Sequence, residues 1–144
     1  INNTAYQAIA TLVKYNKNKD LALLKFTSNI LLNPVTFADS SKLRKGDFVI
    51  AIGTPLDLEY FNTITFGIVS HPSRITTVDG VINCYIQHDA AINPGNSGGG
   101  LFDIEGKLIG INTSRAYDKD TNVYGMSFAI SSNIVLEEFS EYLK

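Results

Sequence analysis

The feature that most narrows the folds open to this chain is a succession of short β-prone runs, each cut by Gly, Pro, Asn or Asp. Residues 5–15 mix apolar and polar positions near period two and read as a strand. After the polar turn 16–19 come Asp20 and a second run, Leu21 to Phe26. Asp47 to Ile52 is almost continuously apolar, as a strand buried against a core should be, and Gly53-Thr54-Pro55 breaks it. Thr63 to Ser70 is another run, which Pro72 is expected to stop, leaving 75–80 as a loop. Val81 to Ile86, a hairpin over 101–111 with its turn at Glu105-Gly106, and 123–130 complete the set. Ser131 to Lys144 is the one convincing helix, with Ser131 or Ser132 able to cap it. Its stripe of Ile134, Val135, Phe139, Tyr142 and Leu143 is suited to docking on the domain's own core. Many short strands and one terminal helix predict an all-β chain built as an antiparallel barrel.

Composition excludes several function classes. At 144 residues, 44% hydrophobic and 18% charged, the chain has the make-up of one folded domain. A formal net charge of −2 without basic runs gives nucleic acid no foothold. No apolar stretch approaches the ~20 residues of a membrane-spanning helix. Cys84 is the only cysteine, so no intrachain disulfide forms, and its place in a strand suits a small buried apolar residue. One Cys and two His without ligand spacing predict no metal site and no cofactor.

The chemistry-bearing segment is Gly95-Asn96-Ser97-Gly98-Gly99-Gly100, a serine among glycines between two strands. Glycines allow a tight turn and leave amide N–H groups uncovered. Two of them, those of Gly95 and Ser97, are placed to converge on an oxyanion, with Asn96 between them.

The longer string Asp89 to Gly99, D-A-A-I-N-P-G-N-S-G-G, resembles the segment around the active serine of the HtrA family (DegP and DegS type) of trypsin-like serine proteases. The likeness continues through Leu108-Ile109-Gly110-Ile111-Asn112. Further blocks follow family order: Asp20-Leu21-Ala22-Leu23-Leu24-Lys25, Gly46 to Gly53, Gly67-Ile68-Val69-Ser70 and Phe128-Ala129-Ile130. The resemblance implies the two-barrel trypsin-like fold. Residues 1–27 would be the end of the N-terminal barrel, 28–130 the nearly complete C-terminal barrel, and 131–144 a terminal helix.

Residue by residue, the resemblance makes Ser97 the nucleophile and Asp20 the acid that orients a base. It places Ala91 where trypsin has the Asp that attracts basic side chains. Ala91 and Ile92, with Met126, Ser127 and Phe128, would then wall an uncharged specificity pocket. The family's base is a His well upstream of this Asp, and none of the 19 residues before Asp20 is His. His71 and His88 match no family base and are expected to be ordinary, partly exposed histidines; the family commonly has Thr where His88 stands. Two accounts follow: these residues are part of a longer protease whose His precedes them, or a non-catalytic, chaperone-like barrel of the same descent. The intact set of Asp20, Ser97 and glycines favours the first. The resemblance further implies unfolded polypeptides as substrates, a trimeric parent, an extracytoplasmic or organellar location, and PDZ domains that in this chain do not follow the helix.

Overall fold

The computed structural model describes residues 7–115 and 124–143. It holds eight strands and one short helix: β1 (Ala10–Asn16), β2 (Leu21–Phe26), β3 (Phe48–Gly53), β4 (Thr63–Val78), β5 (Val81–His88), β6 (Gly100–Phe102), β7 (Leu108–Arg115), β8 (Ser127–Ser131) and α1 (Ser132–Glu138). β1 and β2 form a two-stranded antiparallel sheet. The other six close into a barrel in the order β3-β4-β5-β8-β7-β6, all neighbours antiparallel. The fold is the expected all-β antiparallel barrel with a C-terminal helix.

Closure follows from which faces are apolar. Every barrel strand sends at least one small or branched side chain inward: Val49 and Ala51, Val69, Ile86, Leu101, Ile109 and Ala129, all essentially inaccessible. Full burial of one such side chain contributes about 1.5–3 kcal/mol, so the ring of contacts outweighs any single turn. A second cluster lies outside the barrel wall, where Tyr85, Phe128 and Ile130 meet Leu21 of β2, Val78 of β4, and Val135 and Phe139 of the helical end. The end of β5, from Tyr85 to His88, and Ser127 to Ile130 of β8 are therefore covered on both faces.

The hairpin β1–β2 shares no strand ladder with the barrel. It is held by Leu21 and Leu23 on the second cluster, by Glu138 and by the Thr113 bond to Asp20. Glu138 gathers three of its groups: Lys14 Nζ donates to the Glu138 carbonyl (3.0 Å), Asn16 Nδ2 to Oε2 (3.0 Å), and Lys19 Nζ lies 3.1 Å from Oε2. Leu12, Tyr15, Leu24 and Phe26 of the hairpin remain exposed.

The structure corrects several boundaries. Pro72 does not stop β4, which runs on to Val78 and includes most of the expected 75–80 loop. The pairing with β5 shifts register on both sides of His71, so Pro72 falls at an irregularity where no ladder donor is required. The helix is shorter than its apolar stripe, ending at Glu138 with Phe139 and Leu143 packed through turns. Ser131 takes the N-cap position without a side-chain cap, while Ser132 Oγ donates to the Ala38 carbonyl at 2.7 Å. Tyr142 faces solvent. β8 begins at Ser127, later than expected, and part of the expected 114–122 loop lies outside the described residues.

Candidate functional site

Ser97 lies on the connection from β5 to β6. That connection is pinned along its length. Ile68 N donates to the Asp89 carboxylate (2.6 Å), Ser127 Oγ to the Ala90 carbonyl (3.0 Å), Thr65 Oγ1 to the Ala91 carbonyl (2.9 Å) and Leu56 N to the Pro94 carbonyl (2.8 Å). Gly95 has φ +99°, and a Cβ there would strike the Thr54 carbonyl, so only glycine lets the loop lie this close to the end of β3.

Around the serine, the amides divide into two groups. Those of Asn96, Gly98 and Gly99 donate to the carbonyls of Asn93 (3.0 Å), Asn112 (2.8 Å) and Asn96 (2.9 Å). Those of Gly95 and Ser97 have no acceptor among the described residues. Of the expected oxyanion-hole amides, Gly95 and Ser97 are thus the two left without an acceptor among the described residues. Asn96, also expected at this position, uses its amide to close the turn and buries its side chain beside Gly53.

Asp20 arrives from the β1–β2 turn. Its φ of +54° is a left-handed conformation that Asp tolerates better than most residues. Its Oδ2 accepts from Thr113 Oγ1 at 2.8 Å. The carbonyl of the same Thr113 accepts from Ser97 Oγ. Thr113 is the extra residue where β7 bulges against β8, since Asn112 pairs with Ala129 and Ser114 with Phe128. A bulged residue is left out of the ladder, which frees its carbonyl for a side chain. Thr113 therefore touches both candidate triad groups, a role that sequence reasoning missed; the matched block Leu108–Asn112 stops one residue short of it.

No imidazole bonds to Ser97 among the described residues. His71 is half-buried on β4, and its Nδ1 accepts from Ser73 N at 3.2 Å. His88 overturns its expectation of partial exposure, being wholly buried at the end of β5. It follows Ile86 on the inward face of the barrel, so closure covers it. Burial pushes its pKa down to about 4, against weaker opposing effects from Asn112, Asp89 and the Ala90 backbone. The unfolded chain thus takes up the proton first. Stability is full above the ordinary His pKa of 6.5, falls as the pH drops towards 4, and levels off below. A shift of this size is worth about 3 kcal/mol. Urea-unfolding midpoints from pH 7 to pH 4 are expected to fall more steeply in the natural chain than in His88→Thr; equal slopes would refute the buried neutral imidazole.

Beside the Gly95–Ser97 turn, Ala91, Ile92 and Asn93 face Tyr124, Gly125, Met126 and Ser127 across a cavity of about 270 Å³. None of these is charged. Four of the five expected pocket residues are brought together, and Phe128 is not: it turns into the second core cluster, edge-on to Tyr85. Alternation along β8 explains this, because neighbours on a strand face opposite sides. Among the described residues no group of His, Cys, Asp and Glu is arranged to hold a metal.

Comparison with known proteins agrees with this geometry. A profile of the trypsin-like peptidase domain matches residues 2–111. A "Serine protease Do-like HtrA" of Lactococcus lactis subsp. cremoris is 49% identical over 136 residues, covering 88% of this chain and 33% of the relative. A "Probable periplasmic serine protease do/HhoA-like" of Haemophilus influenzae is 47% identical over 125 residues, covering 86% of this chain and 26% of the relative. The solved structure "HtrA-type protease AlgW with decapeptide" superimposes with a TM-score of 0.81 at 40% identity, over 93% of this chain and 40% of that one. The chain spans about a third of the length of the Lactococcus relative. A profile match over most of the sequence, joined to a six-stranded barrel that carries the Gly-Asn-Ser-Gly-Gly turn, places the chain among the HtrA-type trypsin-like serine proteases.

Proposed function

We propose that these residues form the nucleophile-bearing part of a serine endopeptidase. Ser97 attacks the scissile carbonyl, Gly95 and Ser97 amides hold the oxyanion, and Asp20 orients a histidine base supplied from outside this sequence. One observation carries the reading: Ser97 Oγ and the Asp20 carboxylate both rest on Thr113, beside two amides without acceptors. An imidazole entering between them would take over the hydroxyl now bonded to the Thr113 carbonyl. The periplasmic names of several relatives and the peptide bound in the AlgW structure support an extracytoplasmic protease acting on unfolded polypeptides.

A fluorophosphonate probe tests the mechanism. Labelling of Ser97 is expected in a longer protein that supplies the His, and loss of labelling in Ser97→Ala. Absence of labelling there would favour a barrel that binds polypeptide without cleaving it.

The uncharged cavity sets the expected specificity. Cleavage should follow small aliphatic residues such as Val, Ala or Ile, because an Arg or Lys buried at Ala91 would find no partner. Peptide-library mapping with dominant cleavage after Arg or Lys would refute the pocket assignment.

A further inference from the structure

His88 lies on the inward face of β5, and Asn112 lies on β7 next to the bulge that carries Thr113. The strand between them is β8. Ile86 pairs with Ala129, which pairs with Asn112, so Ile86 and Asn112 share one row across the barrel and His88 stands two residues farther along the same inward face. Both side chains are sealed from solvent.

Asn112 clamps the three residues after Ser97. Its amide donates to the Gly99 carbonyl (2.8 Å), its carbonyl accepts from Gly98 N (2.8 Å), and its Nδ2 donates to the Gly100 carbonyl (3.1 Å). The third bond fixes the orientation of the side-chain amide and leaves Oδ1 buried. This oxygen has no partner of its own, and neither ring nitrogen of His88 has one. Asn112 and the Ala90 backbone are the hydrogen-bonding groups that act on the imidazole, and the ring completes a bond to neither. The Ala90 carbonyl already accepts one bond, from Ser127 Oγ, whereas Asn112 Oδ1 has no donor and is the acceptor in greater need. A neutral imidazole has one N–H to give.

We propose that His88 is a positioning residue for the serine loop: its neutral ring donates to Asn112 Oδ1 and so fixes the amide that holds Gly98, Gly99 and Gly100. Without that donor, Oδ1 is a buried acceptor left unsatisfied, and the Asn112 amide gains reason to rotate away from Gly100. Asp89 is the one charged group that acts on the ring, and its carboxylate is engaged by Ile68 N. The catalytic meaning of the proposal rests on Ser97 being the nucleophile, whereas its test reads the loop and not hydrolysis.

Amide hydrogen exchange on the 144-residue chain is the test. In His88→Ala, exchange at Gly98 and Asn112 is expected to quicken about tenfold, the worth of roughly one net hydrogen bond. Ladder amides at Ile86 and Ile130 should keep their rates. His88→Gln, which retains a side-chain donor, should restore most of the protection. Unchanged Gly98 and Asn112 rates would overturn the proposal, as would a uniform rise across the barrel, which would mean that His88 only fills space. Should His88→Ala not fold, the natural chain decides. The Asn112 side-chain amide resonances must shift with the same midpoint as the His88 ring during an acid titration, and independence of the two would overturn the pairing.

Discussion

Ser97→Ala is expected to lower casein hydrolysis about 10⁴–10⁶-fold in a longer protein that carries these residues behind a histidine-bearing segment. The substitution removes the one hydroxyl placed between the Gly95–Ser97 amides and Thr113, and it leaves the turn that supplies those amides in place. The 144 residues alone are expected to sit near the same floor before any substitution. A serine hydroxyl bonded to a carbonyl has no acceptor basic enough to take its proton. His88 is sealed inside the barrel and neutral, and His71 is tied to its own turn. Casein turnover by the 144-residue chain at a rate close to that of the longer protein, abolished by Ser97→Ala, would show that another group serves as base. It would also undo the assignment of Asp20.

Asp20→Asn should cost roughly 10⁴-fold in turnover, since an amide can neither fix the base in the correct tautomer nor stabilise its charged form. Asn accepts left-handed backbone as readily as Asp, so the turn that holds Asp20 at φ +54° should survive and the loss should be chemical. Thr113→Val is the companion variant. It removes the hydroxyl that donates to Asp20 and keeps the backbone carbonyl that meets Ser97. A hydrogen bond to a charged group is worth about 1.5–3 kcal/mol, so a loss of about ten- to a hundredfold is expected, well short of the Asp20→Asn effect. Casein assays of both variants in the longer protein make the comparison. Thr113→Val as damaging as Asp20→Asn would mean that the hydroxyl does more than hold the carboxylate.

Sequence alone reached the barrel because closure writes itself into every strand: each carries an inward residue, and the breakers other than Pro72 fall where strands end. It singles out Ser97, Gly95 and Asp20 as candidates because their neighbours form a long ordered pattern, and the structure brings Ser97 and Asp20 to the same Thr113. Thr113 stayed hidden for a physical reason. Its importance comes from being one residue too many against β8, and a bulge is a property of two strands in register, invisible in either alone. His88 was misjudged likewise. A polar residue beside Asp89 at a strand end reads as exposed, and only barrel closure, which brings β5 and β7 to either side of β8, puts it indoors. Pro72 misled in the opposite sense, because irregular pairing around His71 removed the demand that would have ended the strand. The helix was over-extended because an apolar stripe continues as well through turns as through a helix when the same core lies beneath it.

The hairpin that bears Asp20 has no ladder to the barrel that bears Ser97. A lone two-stranded sheet is marginal in water, so the hairpin's place depends on Leu21 and Leu23, Glu138 and the Thr113 contact. The proposed acid and nucleophile thus sit on two separate sheets, and only molecules in which the hairpin is docked hold both in place. Such a site is buffered. Weakening the attachment is silent while nearly all molecules remain docked; once the undocked form dominates, each further ~1.4 kcal/mol removes close to tenfold from the competent population.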